Sequence, residues 1–566
     1  MFRIHIWIFI MVMTNTMSSL YGQIPAFPSA EGFGATASGG RGGRVIYVTN
    51  LNADGPGSLQ AALNENGPRY ILFKVSGVIP TTVEVPPGHG DFTIAGQTSP
   101  DGIIVRGFLS YNEEQISSEN IIIRHLRSRI GDTEQYPTPH WLAEDGITLG
   151  GIRRAIIDHC SFAHASDEAV DISRSSLLTI QHCLLSETLG GHSYLGGMLI
   201  NYSSAQSRLD SLSIHHNVWN RIGGRMPEIS CESPYCDGKT INIELSNNLA
   251  WDPRIELWYE GPTPNGHFNL NLNAINNFYH TAPSYSNGMY HFDLLNFEEN
   301  HLFFEGNKMN LYDQYSDYDL FYCCNDFDQG HPNTNFGVAN LLPSRHAFPA
   351  ISYTATETLA NSLSTSVGAF PRDAMDMRLM RNVSDGIIDP LPIDEDHYND
   401  AFTITNEKQA PLDSDDDGMP DYWEISHGLD IHSQDHNGMS LSSNIYGVAG
   451  YTNLECYLNC LSDALVNNGT RNACGIQLDI SSHLVQDSKP LLEIYPNPAQ
   501  TEVQFKGIGE LSLANCKIMD ATGQTVLDQR IQSNNSVSVA HLKSSIYFVV
   551  LETENSQVFR GKLLIL

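Results

Sequence analysis

Positive charge is what this sequence has least of: 31 Lys and Arg face 64 Asp and Glu, a net charge of −33. That balance argues against nucleic acid or an anionic membrane as partner, since both bind through basic surface. Charged residues of either sign make up only 17% of the chain and apolar residues 41%, which excludes the charge-rich, core-poor composition of disordered proteins. Long hydrophobic runs are absent except at the N-terminus, where Ile6–Met13 follows Arg3 and precedes Ser18, Ser19 and Gly22. Residues 1–22 therefore read as a secretory signal peptide, the run being shorter than the roughly 20 apolar residues of a membrane span. No cysteine spacing fits a zinc site. The ten cysteines instead suit an exported protein, with Cys231 and Cys236 a candidate bridge and Cys456, Cys460 and Cys474 holding a second.

Long helical periodicity is also missing between Ile24 and Phe402. In its place are short β-branched runs, each broken by a polar pair: IIIRHLRS, AIIDHCSF, LTIQHCLL, LSIHHNVW, NIELSNNLAW, LNAINNFY and FFEGNKMN. Aligned on the second residue of the pair, they give a column of Leu126, Cys160, Cys183, Asn217, Asn248, Asn277 and Asn307. The intervals are 34, 23, 34, 31, 29 and 30 residues. Self-similarity at that period means stacked coils, and short strands with tight corners make each coil a turn of a parallel β-helix. Asn fits such a corner because it tolerates left-handed backbone and its amide can bond its counterpart on the next coil. An antiparallel sandwich would place hairpin turns every 8–12 residues or so, a shorter spacing than the one found.

Beyond Phe402 the composition shifts. Asp413-Ser-Asp415-Asp-Asp417-Gly418-Met419-Pro-Asp421-Tyr-Trp-Glu424 satisfies the calcium-loop pattern at each position. Asp413, Asp415 and Asp417 supply single oxygens, Gly418 the sharp turn, the Met419 carbonyl and Asp421 the intermediate ligands, and Glu424 a closing bidentate carboxylate. The expected role is structural. GYTNLECYLNCL (residues 450–461) has helical spacing, residues 463–489 read as a linker, and the alternating strands from Pro490 onward predict a small β-sandwich.

On the coils themselves Asp145 lies in EDGITL, Asp158 in IDHC, and Asp167 and Asp171 four apart in SDEAVDIS. Crowded carboxylates repel unless a hard cation sits among them. Arg225 and His215 follow in SIHHNVWNRIGGRMPEIS.

Residues 27–63, with VSGVI, TIAGQTSPDGI, NIIIRHLRSRIGD, DGITL, IIDHCSFAHASDEAVDIS, IHHNVWNRIGGRMP and VGAFPRDAMDMRL, closely resemble the secreted pectate lyases of polysaccharide lyase family 1. The segment DSDDDGMPDYWEISHGLD to GYTNLECYL is similar to the calcium-loop appendage of such enzymes, and the last ~75 residues, with YPNP at 495–498, look like a type IX secretion sorting domain. The resemblance implies an all-β protein: a right-handed parallel β-helix over 23–405, a calcium-loop segment over 406–462, and a sorting β-sandwich over 490–566. It also implies Ca²⁺-dependent β-elimination on α-1,4-galacturonan by a secreted or surface-attached monomer, whose partners are acidic plant polysaccharide and the secretion machinery, with no nucleic acid. Asp145, Asp167 and Asp171 match the calcium ligands, and Arg225 matches the arginine that takes the C5 proton. His192, His215 and Arg221 are the expected substrate-binding groups.

Two departures stand out. Glu228, Ile229 and Ser230 follow Pro227 where many members place a second arginine, and residues 186–197 contain no lysine. These losses weaken binding to fully charged pectate and leave room for another uronan or for a β-helix that binds carbohydrate without turnover. A hydrolase using Asp167 and Asp171 as an acid/base pair is a third reading, recognisable by a saturated product.

Overall fold

The computed structural model describes residues 24–565 except 113–115, 132–143, 190–195, 206–207, 231–233, 254–256, 260–267, 293–300, 323–340, 392–397, most of 469–492, and short stretches between 498 and 557. Residues 1–22, expected to be a signal peptide, and His192, Cys231, Cys323 and Cys324 lie outside the described residues. By packing, the chain divides into one unit of residues up to 419 with 431–470, and a second of 420–430 with 471–566.

The first unit is a parallel β-helix. Three sheets of ten, nine and nine strands run along it, and every pairing within them is parallel. One coil contributes a strand to each sheet in turn, as Ile152–Asp158, Ser161–Ala163 and Val170–Ser173 do. Alternation decides which side chains go inside: on the third sheet Ile147, Leu149, Val170, Ile172, Met198 and Ile200 are buried in the core while Thr148, Asp171 and Leu199 face outward. The apolar filling from Val48 to Phe321 is one continuous cluster.

The aligned column is a ladder in this core. Asn217 accepts from the Cys183 N–H at 2.8 Å and donates from Nδ2 to Asn248 Oδ1 at 3.1 Å. Asn248 repeats this to Asn277 at 3.1 Å, and Asn277 to Asn307 at 2.8 Å. The left-handed backbone, however, belongs to the residue before each column member: His125, His159, His182, His216, Asn247 and Asn276 have φ between 50° and 55°. The ladder Asn therefore supplies hydrogen bonds, and its predecessor turns the corner. Those predecessors form their own stack, with His125–His159, His159–His182 and His182–His216 ring centroids 5.2, 4.8 and 5.0 Å apart.

Two of the three outer faces are covered. Residues 26–43 lie across the first sheet, where the Phe33 and Gly34 N–H groups donate to Ser213 Oγ and Thr179 Oγ1 at 3.0 and 2.8 Å. Helices Thr356–Ser366 and Ala374–Asp385 pack on the second sheet through Leu359, Leu363, Leu379 and Val383. Buried Arg127 and Arg129 anchor the latter helix by pairing with Asp373 and Asp376.

Residues 413–419 and 431–468 return to the opening coils. Lys74 pairs with Asp416 at 2.5 Å, Tyr47 donates to Asp413, and helix Asn453–Asn468 meets Tyr70, Gln97 and Arg124 through Thr452, Leu458 and Ser462. The helix continues to Asn468, past the expected start of the linker. Cys236, Cys460 and Cys474 are disulfide-bonded, whereas Cys160, Cys183, Cys456 and Cys516 are free and buried. In the second unit, a three-stranded and a four-stranded antiparallel sheet enclose a core that includes Val503, Phe505, Ile518, Val549 and Leu563.

Candidate active site

The expected acidic residues gather on the third sheet. Asp145 precedes strand Ile147–Gly150, Asp171 is the second residue of Val170–Ser173, and Glu168 lies two residues before that second strand. Each brings a carboxylate oxygen within 4.8 Å of the other two. Thr148 Oγ1 donates to Asp145 Oδ2 at 2.8 Å, and the Glu168 N–H donates to Oδ1 at 3.2 Å, so the first ligand is oriented from both sides. Burial, followed by the charge of Asp171, raises the Asp145 carboxyl well above the ordinary range. Burial and then Asp167 push Asp171 up to about 7, partly offset by Arg174. Buried carboxyls this close favour either protons or a hard cation, and an all-oxygen donor set suits calcium.

Arg225 meets this cluster from a later coil. Its backbone is left-handed, with φ at 52°, and its carbonyl accepts from the Met198 N–H at 2.7 Å. A β-carbon on Gly197 would stand 2.1 Å from that carbonyl oxygen, so the close stacking requires glycine. The guanidinium pairs through Nη1 with Glu168 and through Nε with Glu228, the latter at 2.7 Å.

Asp145, Asp171 and Arg225 thus share one face, while Asp167 stands beside the three converging carboxylates, not among them. His215 and Arg221, expected as substrate-binding groups, are carried by the first and second sheets. His215 ends strand Asp210–His215 of the covered first sheet, is 1% exposed, and shares a hydrogen bond with His216. Arg221 follows the second-sheet strand Val218–Asn220, pairs with Glu187, and donates to the Pro390 carbonyl at 2.5 Å. Neither side chain reaches the third sheet. Asp158 is structural too, holding Arg124 and Gln181 in the core at 2.7 and 2.8 Å. Glu168 went unrecognised in the sequence; its signal was its place in SDEAVD, immediately before the strand that presents Asp171.

A second acidic cluster lies in the loop at 413–419, where Asp413, Asp415 and Asp417 each bring an oxygen within 4.8 Å of the others. Asp413 accepts from the N–H groups of Asp417 and Gly418 at 3.3 and 3.0 Å, and Asp417 accepts from those of Met419 and Asp435 at 3.0 Å each. Asp435 was not anticipated. Burial first, and the neighbouring aspartates after it, push Asp415 and Asp417 to about 6. Asp421 and Glu424 belong to helix Asp421–His427 in the second unit, where Glu424 is buried.

A solenoid of three parallel sheets, one of which gathers carboxylates beside a guanidinium, is a parallel β-helix of the kind found in pectate lyases. Over 459 residues the chain is 30% identical to "Probable pectate lyase C" of Aspergillus fumigatus, covering 80% of this chain and 97% of that protein. It is 31% identical over 442 residues to the protein of the same name from Emericella nidulans, covering 77% and 92%. The chain belongs to the pectate lyase family and is a polysaccharide lyase. Among solved structures, pectate lyase C from Erwinia chrysanthemi matches with 16% identity and a TM-score of 0.36, over 60% of this chain and 96% of that one. Residues 493–565 match the secretion system C-terminal sorting domain, and the protein is secreted or attached to the cell surface.

Proposed function

We propose that this protein is a calcium-dependent lyase that cleaves α-1,4-linked galacturonan by β-elimination, leaving a 4,5-unsaturated uronate at the new end. The observation that carries this reading is the convergence of Asp145, Glu168 and Asp171 on the third sheet with Arg225 paired to one of them. These three carboxylates, with Asp167 beside them, are the residues that would hold the cation. Bound there, calcium would neutralise the uronate carboxylate and acidify the adjoining C5–H. The chain's own part is orientation and charge. Thr148 and the Glu168 N–H fix Asp145, while Glu168 and Glu228 hold Arg225, the residue placed to meet the C5 hydrogen and the charge that builds as it leaves. Elimination breaks C5–H and C4–O4 and forms the C4=C5 bond; the C5 proton passes to Arg225 and on to solvent, a solvent proton goes to the departing O4, and no net water is consumed.

Ultraviolet absorbance of the unsaturated product tests this on polygalacturonate and on pectins of graded esterification, with calcium, with chelator, and with Arg225→Ala. Absorbance should grow only with calcium and only for the unsubstituted protein. Absence of unsaturated ends from every substrate overturns the reading, and saturated reducing ends in their place indicate a hydrolase.

A further inference from the structure

Arg225 is held by more than its backbone. Its guanidinium has three nitrogens, and two are committed to buried carboxylates: Nη1 to Glu168, and Nε to Glu228 at 2.7 Å. Both partners are only 3% exposed as whole residues. Glu228 opens strand Glu228–Ile229 and registers with Leu199, which registers in turn with Asp171, so it stands in the same outward row of the third sheet as the candidate cation ligand. Two coil spacings of ~4.8 Å separate the two residues in that row. Glu228 is not among the carboxylates that converge on the cation position.

We propose that Glu228 is a positioning residue for the elimination: with Glu168 it grips the guanidinium along Nε and Nη1 and leaves Nη2 as the edge offered to the sugar. This rests on the lyase reading above. An arginine side chain has many rotamers, and a reacting group displaced by about 1 Å loses rate on the order of a hundredfold.

Glu228→Ala and Glu228→Gln test it together. Gln keeps an acceptor for Nε without the charge. Loss of the anchor in Glu228→Ala should lower kcat by about 20-fold or more, with KM within about twofold, and Gln should restore kcat to within about threefold. Cation affinity, read by terbium luminescence, should be unchanged in both variants. Independently of turnover, nitrogen-15-labelled arginine should give a slowly exchanging Arg225 Nε–H signal that is kept in Glu228→Gln and lost in Glu228→Ala. The proposal is overturned if alanine leaves kcat within twofold, if Gln falls as far as alanine, or if the wild-type Nε–H exchanges freely. A wild type without turnover on any uronan would remove the lyase reading instead, and the Nε–H comparison would still decide whether Glu228 holds Arg225.

Discussion

At the scale of single residues, the candidate site is a set of charges that the fold tolerates at a cost. Asp171 is half-buried beside Asp145 and Asp167, and its carboxyl is pushed up to about 7, by burial first. An unfolded aspartate titrates near ~3.9, so this group favours the folded, cation-free state below that pH, and the contribution is lost as pH rises through about 7. Asp171→Asn should therefore raise the melting temperature in chelator at about pH 8 while weakening cation binding about a hundredfold, an exchange of function for stability. Calorimetry with and without calcium reads both effects, and a lower melting temperature in chelator would contradict the argument. Gly197 provides a complementary case. The β-carbon of Gly197→Ala would have to displace the Arg225 carbonyl from 2.1 Å, moving the guanidinium without touching any charged group. Product formation should fall about a hundredfold while cation affinity stays within about threefold; wild-type turnover would show that the backbone contact does not place Arg225.

At the scale of elements, the coil was legible because its repeat is written in chemically distinctive residues. Asn217, Asn248, Asn277 and Asn307 recur at coil spacing, and each answers a buried hydrogen-bonding need that no apolar residue could meet. Asn248 joins three coils: its Nδ2 donates to the Ile214 carbonyl and to Asn277, and its Oδ1 receives Asn217. Asn248→Ala should cost about 3 kcal/mol, since several buried partners lose their bonds together, and thermal unfolding checks it; a change below about 1 kcal/mol would mean the ladder is dispensable. Asp145, Asp171 and Arg225 were expected from the resemblance of their local motifs, and the fold brings them onto one sheet. What the sequence did not disclose was which face each coil leaves open. His215 and Arg221 look like useful groups beside Arg225, yet the strand positions that carry them lie under residues 26–43 and under the segment around 374–402, which are distant in sequence. The histidine stack was equally hidden, because its members precede the recognisable column by one residue. Burial first, and then the neighbouring His159, lowers His182 to about 3. Since an unfolded histidine takes its proton near ~6.5, the stability contributed by neutral His182 is present above that pH and lost as pH falls toward about 3. His182→Asn introduces the residue that later coils use at this corner, at Asn247 and Asn276. Its melting temperature in chelator should fall less than that of the wild type between about pH 7 and about pH 4.5, and an unchanged slope would exclude His182 as a source of acid lability.

At the scale of the whole molecule, the dominant number is the net charge of −33, carried by a protein whose family acts on a polymer of the same sign. Local arrangement does not remove that conflict, because the candidate site sets Asp145, Asp167, Glu168, Asp171 and Glu228 against Arg174 and Arg225, and Nε and Nη1 of Arg225 are already engaged by Glu228 and Glu168. Attraction must then come from a cation held at short range, while the long-range field repels the approaching chain. These two terms respond differently to salt. Screening acts over a Debye length of about 30 Å at 0.01 M and about 8 Å at 0.15 M, so added monovalent salt suppresses the distant repulsion before it competes for a multidentate calcium site. For a basic enzyme on an acidic polymer the same addition removes attraction and raises KM. Here KM for polygalacturonate at saturating calcium should fall about two- to fivefold as sodium chloride rises from about 10 to about 150 mM, with kcat little changed. A neutral or fully esterified substrate should show no such fall. If KM for polygalacturonate rises with salt instead, the approaching polymer meets a locally positive surface, and the cation is not what reconciles this acidic protein with its acidic substrate.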